Sequence, residues 1–294
     1  MLTRRHLLSL AVALGARSAA ATEASPLTSQ EIPVPNTGGF GQRCLLLRPS
    51  RVPASEPLPL LVLFHGLGET SSEALGIHAW HDRYGLPQAY ARLAAPPVAR
   101  TLPKERYLSD SRLLEINAEL AQAPFTDVAL VCPFTPNVLN QHRGAAYLDR
   151  YADYIERSVL PAARAATPTR EGSAHLGVDG VSLGGYVALE VFFRKSRLFG
   201  ALGSMQGAFN LPLAEAYARR MADIVAEQGQ RSIHLTTSSY DPFRDATLRL
   251  ARRLGELGIT ATLTDGVGPH DQRFLREAGT LEMLLFQARA LRRS

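Results

Sequence analysis

The sequence predicts an α/β domain: a mostly parallel β-sheet with helices on both faces. Two apolar runs, PLPLLVLFHG at 57–66 and TDVALVCPF at 126–134, lack the alternation of half-buried strands and read as strands covered on both sides. From there on, strand-like runs alternate with segments of helical period, the pattern of parallel strands joined by crossover helices. The length, 294 residues with 46% hydrophobic and 20% charged, suits one large domain with a sizeable core.

The elements follow in order. FGQRCLLLRPS at 40–50 is a strand stopped by Pro49. YLDRYADYIERSVLPAARAA at 147–166 places Tyr147, Tyr151, Tyr154, Ile155 and Val159 on one helical side. AHLGVDG at 174–180 is a strand, and GYVALEVFFRKSRLFG at 185–200 a helix closed by Gly200. SIHLTTSSYD at 232–241 and ITATLTDG at 259–266 are strands, with an amphipathic helix at 244–258 between them and a final helix over 271–293. No internal repeat is present.

The first residues form an expected export signal over 1–21. Arg4 and Arg5 precede a short apolar run from Leu7 to Ala16, and Ala19-Ala20-Ala21 offers a small-residue cleavage site. Thr3-Arg4-Arg5-His6-Leu7-Leu8 resembles a twin-arginine motif, with Leu7 where Phe is usual. Residues 22–37 read as a linker and 38–294 as the domain. An exported protein, periplasmic or secreted, without a stable membrane anchor is expected, because no other run is long enough to span a bilayer. Losing Arg4, Arg5 and Arg17 takes the formal charge from +5 to +2. That balance, without basic clusters interleaved with aromatics, gives no footprint for nucleic acid. Cys44 and Cys132 fit no metal-site spacing, and two buried free thiols and one disulfide are both open readings.

Parallel sheets place their chemistry at the carboxyl ends of strands, here after Phe64, Val178, Ser239 and Thr264. Gly180-Val181-Ser182-Leu183-Gly184 has a serine between glycines at −2 and +2, after an apolar strand and before a helix. That is the context in which a tight turn presents a serine as nucleophile. His65-Gly66-Leu67-Gly68 follows the most apolar strand, and the Leu67 and Leu183 N–H groups are the expected donors to an oxyanion. His65 itself reads as an orienting or packing residue. His270, in the Gly/Pro loop GVGPHDQRF, is the histidine at a late strand exit and the expected base. TTSSYDPFRDAT offers the acid that would hold it. Asp241 is the first past the strand; Asp245 has a rival reading as a helix-start acid, and Asp265 is a distant third.

The order Ser, Asp, His at successive strand exits resembles the α/β-hydrolase family. FHGLGET, DGVSLGGYVALE and GPHDQRF are similar to the esterase group that includes esterase D-type enzymes, over about residues 38–290. The resemblance implies an eight-stranded sheet, no metal or other cofactor, and ester hydrolysis through an acyl-enzyme. It also implies that the second and fourth strands are neighbours, bringing together the runs that hold Cys44 and Cys132. The small-molecule or lipid-like ester would be attacked by Ser182, with His270 as base and Asp241 behind it. The same triad serves acyltransferases and serine peptidases, and the fold also carries non-catalytic binding proteins. The fit is loosest over 69–126, an insert expected to form helices over the site. Trp80, Tyr84 and Tyr90 there are candidates for lining a substrate pocket, or equally for packing the insert onto the sheet.

Overall fold

The computed structural model describes residues 25–35, 38–140 and 144–292; the expected export signal lies outside them. Its eight strands are β1 (Leu27–Pro33), β2 (Arg43–Pro49), β3 (Leu60–Phe64), β4 (Ala129–Pro133), β5 (Leu176–Gly180), β6 (Ala201–Met205), β7 (Ser232–Tyr240) and β8 (Thr262–Pro269). They form one sheet in the order β1-β2-β4-β3-β5-β6-β7-β8. β1 and β2 pair antiparallel, β2 meets β4 antiparallel, and β3 to β8 are parallel with β4.

β3 shows why its run is apolar throughout. Leu60, Val62 and Phe64 pack on one face with α4 (Ala145–Tyr154), α5 (Leu160–Ala166), α6 (Leu183–Arg194), α7 (Leu211–Gln228) and α8 (Arg244–Glu256). Leu61 and Leu63 pack on the other with α1 (Glu73–Asp82), α2 (Leu86–Ala94), α3 (Asp110–Gln122) and the C-terminal helix. A strand buried on both faces needs apolar residues at every position. The C-terminal helix runs as α9 (Gln272–Phe274), a widened π turn (Leu275–Gly279) and α10 (Thr280–Ala290). A second π turn, Ile155–Val159, joins α4 to α5 just ahead of Pro161, whose missing N–H and ring a regular turn does not accommodate.

Three sequence expectations change. The linker expected at 22–37 contains β1, an edge strand whose polar residues face out while Leu27 and Ile32 pack inward. Main-chain bonds to β2, rather than an apolar pattern, hold it. The helix expected to reach Gly200 ends at Arg194. Gly200 serves a close approach instead: a Cβ there would lie 2.5 Å from the Ser173 carbonyl oxygen. Between the expected helix at 185–200 and the expected strand at 232–241 the chain forms two further elements, β6 and α7.

Cys44 lies opposite Pro133, and Cys132 opposite Leu45. Their strands are neighbours, but the cysteines are one residue out of step, so their side chains leave the sheet on opposite faces. Both are buried free thiols, and the disulfide reading falls on geometry.

The core also holds an acid. Asp179, on β5, accepts from Gln287 Nε2 on α10 and from the Gly180 N–H, both at 2.8 Å. Gly203 makes room for it, since a Cβ there would overlap the carboxylate. Burial pushes this carboxyl up to about 7, against the two hydrogen bonds, which act to lower it. The folded protein therefore holds the Asp179 proton more tightly than the unfolded chain does. The stability this confers is full below the unfolded carboxyl range and is lost as pH rises through about 7. Asp179→Asn, neutral at every pH, is expected to raise the thermal midpoint at pH 8, with the gain shrinking by pH 5. Melts followed by circular dichroism at the two pH values check it, and an equal shift at both would contradict it.

Candidate active site

The turn between β5 and α6 is built by close backbone contact. A Cβ on Gly180 would sit 2.3 Å from the Gly184 carbonyl oxygen, and one on Gly184 would sit 2.2 Å from that of Phe64. Neither position has room for a side chain. Between them Ser182 takes φ 57° and ψ −119°, a left-sided conformation that a non-glycine residue adopts at a cost of order 1–3 kcal/mol. Its N–H donates to the Met205 carbonyl and its own carbonyl accepts from Ala208, which holds it in that conformation. The hydroxyl does not cap α6. It lies 3.0 Å from His270 Nε2.

His270 follows β8 directly, and Asp271 caps α9 behind it by accepting from the Arg273 and Phe274 N–H groups. His270 Nδ1 lies 2.8 Å from Asp241 Oδ1. Asp241 also accepts from the Thr237 hydroxyl at 2.7 Å and the Phe243 N–H at 3.1 Å, and its side chain is wholly buried. A carboxylate only accepts, so Nδ1 carries the proton and Nε2 presents its lone pair to Ser182. Asp245 is exposed in the first turn of α8, and Asp265 pairs with Arg244. Of the three acids, Asp241 alone meets His270.

The loop after β3 turns at Leu67–Glu69. His65 orients it. The Thr135 N–H donates to His65 Nε2 at 2.8 Å, so the ring proton sits on Nδ1 and is donated to the Gly66 carbonyl at 2.9 Å. Burial pulls this imidazole down to about 4, keeping it neutral. With the Gly66 carbonyl held, the trans peptide turns the Leu67 N–H away from His65. Among the described residues the Leu67 and Leu183 N–H groups have no acceptor within the chain.

No protein-family profile matches the sequence, and no curated protein matches it. The structure does find likenesses. A ferulic acid esterase superposes with TM-score 0.62 at 16% identity, over 90% of this chain and 98% of that one. The S-formylglutathione hydrolase of Staphylococcus aureus gives TM-score 0.54 at 17%, over 90% and 97%. A ferulic acid esterase of the anaerobic fungus Anaeromyces mucronatus gives 0.57 at 13%, over 91% and 94%. The fold is that of the α/β-hydrolases.

Within that fold the hydrogen-bonded line of Ser182, His270 and Asp241 opens on a cavity of about 190 Å³, lined by residues that include Leu67, Tyr84, Ser182, Gln206, His270 and Leu275. The three aromatics of the insert part company here. Tyr84 reaches the cavity wall. Trp80 does not: it is fully buried, edge-on to Tyr84 at 5.2 Å, among the residues that pack α1 onto the sheet. Tyr90 is buried too, its hydroxyl on Asp127 at 2.6 Å. Both rings are buried in the apolar layer between the insert and the sheet.

Two residues at the cavity were not anticipated. Glu69 is a buried carboxylate on its wall. Gln206 sits at φ 47°, gives its N–H to the Thr236 carbonyl at 2.6 Å, and donates its side-chain amide to Ser238 at 2.7 Å and the Pro269 carbonyl at 3.1 Å. It thereby ties the ends of β6, β7 and β8 together just before His270. Nothing in a lone Gln or Glu in a loop signals such placement.

The closeness of Gly184 to Phe64 gives a direct test. Gly184→Ala sets a methyl against main chain, which has no rotamer to yield. An overpacking cost of about 3 kcal/mol corresponds to a thermal midpoint lowered by about 6 °C in a domain of this size. An unchanged midpoint would show that the turn relaxes freely.

Proposed function

We propose that the protein is an exported serine hydrolase that cleaves carboxylic esters through an acyl-enzyme. The carrying observation is the hydrogen-bonded line Ser182 Oγ, His270 Nε2, His270 Nδ1, Asp241 Oδ1, set on a strained turn at the mouth of a cavity. Ser182 Oγ attacks the ester carbonyl carbon while its proton passes to His270 Nε2. Asp241, buried behind the ring, stabilises the imidazolium so formed. The carbonyl oxygen gains negative charge and is held by the Leu67 and Leu183 N–H groups. Collapse of the tetrahedral species breaks the bond to the alcohol oxygen, which takes the proton from Nε2. Water then attacks the acyl-enzyme, His270 accepts its proton, and the acid leaves with Ser182 restored.

The solved structures with the same fold include enzymes named for cleaving ferulic acid esters and S-formylglutathione, which supports a small ester or thioester substrate. The cavity, about 190 Å³, favours a short acyl group. The exported state rests on the charged, apolar and small-residue order of residues 1–21. No helix among the described residues is long and apolar enough to cross a membrane. The hydrolase domain runs from β1 to residue 294, with 69–126 as its insert.

The test is a series of p-nitrophenyl esters of rising acyl length. Acetate and butyrate are expected to turn over faster than octanoate. Ser182→Ala should lower turnover at least ~1,000-fold because relay members act as a unit. Asp241→Asn should cost at least ~100-fold, while Asp245→Asn stays within about twofold. Unchanged turnover in Ser182→Ala would overturn the mechanism. Expression in a bacterial host with an intact export system should give a mature chain starting at Thr22, read by N-terminal sequencing; a retained Met1 would count against export.

A further inference from the structure

Tyr84 stands where a pocket aromatic was expected, yet its hydroxyl is already committed. It donates to the Glu69 carboxylate and lies 3.0 Å from the Gly66 N–H. The direction of both bonds is fixed by chemistry. Glu69 also accepts from Arg83 Nη1 at 3.0 Å, so it serves as a carboxylate acceptor and takes the single phenol proton. A lone pair of the Tyr84 oxygen is then what receives the Gly66 N–H. Burial, with the Glu69 carboxylate beside it, pushes the Tyr84 phenol up, so the phenol keeps its proton. Both groups are 3% exposed, and a chain of bonds in such a site polarises and stiffens along its length.

The main chain of the same turn is held from the other side of the site. Thr280, at the start of α10, donates its hydroxyl to the Tyr84 carbonyl at 2.7 Å. Arg276, in the π turn, donates Nε to the Arg83 carbonyl at 2.7 Å. Gly85 follows at φ 73°, and a Cβ there would press on Arg276 at 3.0 Å. The segment that begins at His270 thus grips the Arg83-Tyr84-Gly85 turn, and that turn grips Gly66.

We propose that Tyr84 and Glu69 are positioning residues that hold the Leu67 N–H in register with His270, so that the oxyanion site is assembled before substrate arrives. This rests on the serine-hydrolase reading of the site. Neither residue need touch the reacting atoms. Their contribution is made where charge develops, so it falls on the chemical step rather than on ground-state binding.

The test compares Tyr84→Phe with Tyr90→Phe, which removes an equally buried hydroxyl bonded to Asp127 in the same insert. Wild-type enzyme is first shown to turn over p-nitrophenyl acetate and to take a fluorophosphonate on Ser182. Tyr84→Phe is expected to lower kcat ~10- to 100-fold, short of the loss of a whole oxyanion donor, with KM within about twofold. Its affinity for an alkylboronic acid, whose tetrahedral adduct carries an oxyanion-like oxygen, should fall by the same factor as kcat/KM. Tyr90→Phe should keep wild-type kcat whatever its thermal midpoint. Thr280→Val, which releases the Tyr84 carbonyl, should move kcat and boronate affinity in the same direction by a smaller factor; it carries the test if Tyr84→Phe fails to fold. Wild-type kcat in a folded Tyr84→Phe, or a loss seen only in KM, overturns the proposal and leaves the serine-hydrolase reading standing. A wild-type enzyme inert to both ester and fluorophosphonate removes that reading and the proposal with it.

Discussion

Gly184 packs against the carbonyl of Phe64 so closely that a β-carbon there would lie 2.2 Å away. That contact sets the end of β3 against the start of α6, and the site's other distances follow from it. The Val181 N–H bonds the Phe64 carbonyl at 3.2 Å, which leaves Ser182 to complete the turn at positive φ. The loop after Phe64 then leaves the sheet beside Ser182, where a Cβ on Gly66 would lie 3.8 Å from that of Ser182. Strain at Ser182 persists because the sheet on one side and α6 on the other over-determine it.

Ser182 and the His270–Asp241 pair come from distant parts of the chain, and buried polar bonds tie them on more than one level. Gln206 joins the ends of β7 and β8 near His270. Deeper, Gln287 on α10 bonds Asp179 on β5, linking the helix after His270 to the strand before Ser182. Asp179 carries a cost, since burial holds its carboxyl near 7 where an exposed one would ionise freely. The bond spans the sheet face opposite α6, so the elbow is braced from beneath as well as above.

The strand exits were legible because each joins an apolar run to a residue that a strand or helix interior does not favour. Gly180 and Gly184, His65 and Gly66, Pro269 and His270 all stand at such joins. Asp241 was legible for the same reason, with Asp245 separated only by its place in the first turn of α8. β1 was illegible because its stability is main-chain pairing at a sheet edge, which leaves no apolar alternation. β6, ALGSM, is short and small because Asp179 and α6 crowd it, so it lacks the branched residues that mark strands. α7 is different: Ala214, Tyr217, Ala218, Met221 and Ile224 are buried at helical spacing, a pattern present in the sequence and passed over. The hydrogen bonds of Glu69 and Gln206 join residues far apart in the chain, and single-sequence periodicity carries no information about those.

The insert at 69–126 shows how burial can override a reading by residue type. An aromatic near a site invites the reading that it lines a pocket. Trp80 and Tyr90 each carry a large apolar surface, and removing it from water outweighs any gain from facing a half-open cavity. The sheet face between β2, β4 and α10 is where that surface can be hidden, and both rings lie there. Each buried hydroxyl needs a partner: that of Tyr90 finds Asp127, away from the site, whereas that of Tyr84 finds its partners in the loop beside Ser182. Gly66 supplies a donor and Glu69 an acceptor at the edge of that same apolar layer. The ring therefore stays with the core while its oxygen reaches the loop. An insert that packs inward in this way leaves the cavity mouth to a few side chains, among them the half-exposed Leu67 at 47%. That rim belongs to the same loop that carries the Leu67 N–H beside Ser182, so a change at the rim also bears on the main chain of the turn.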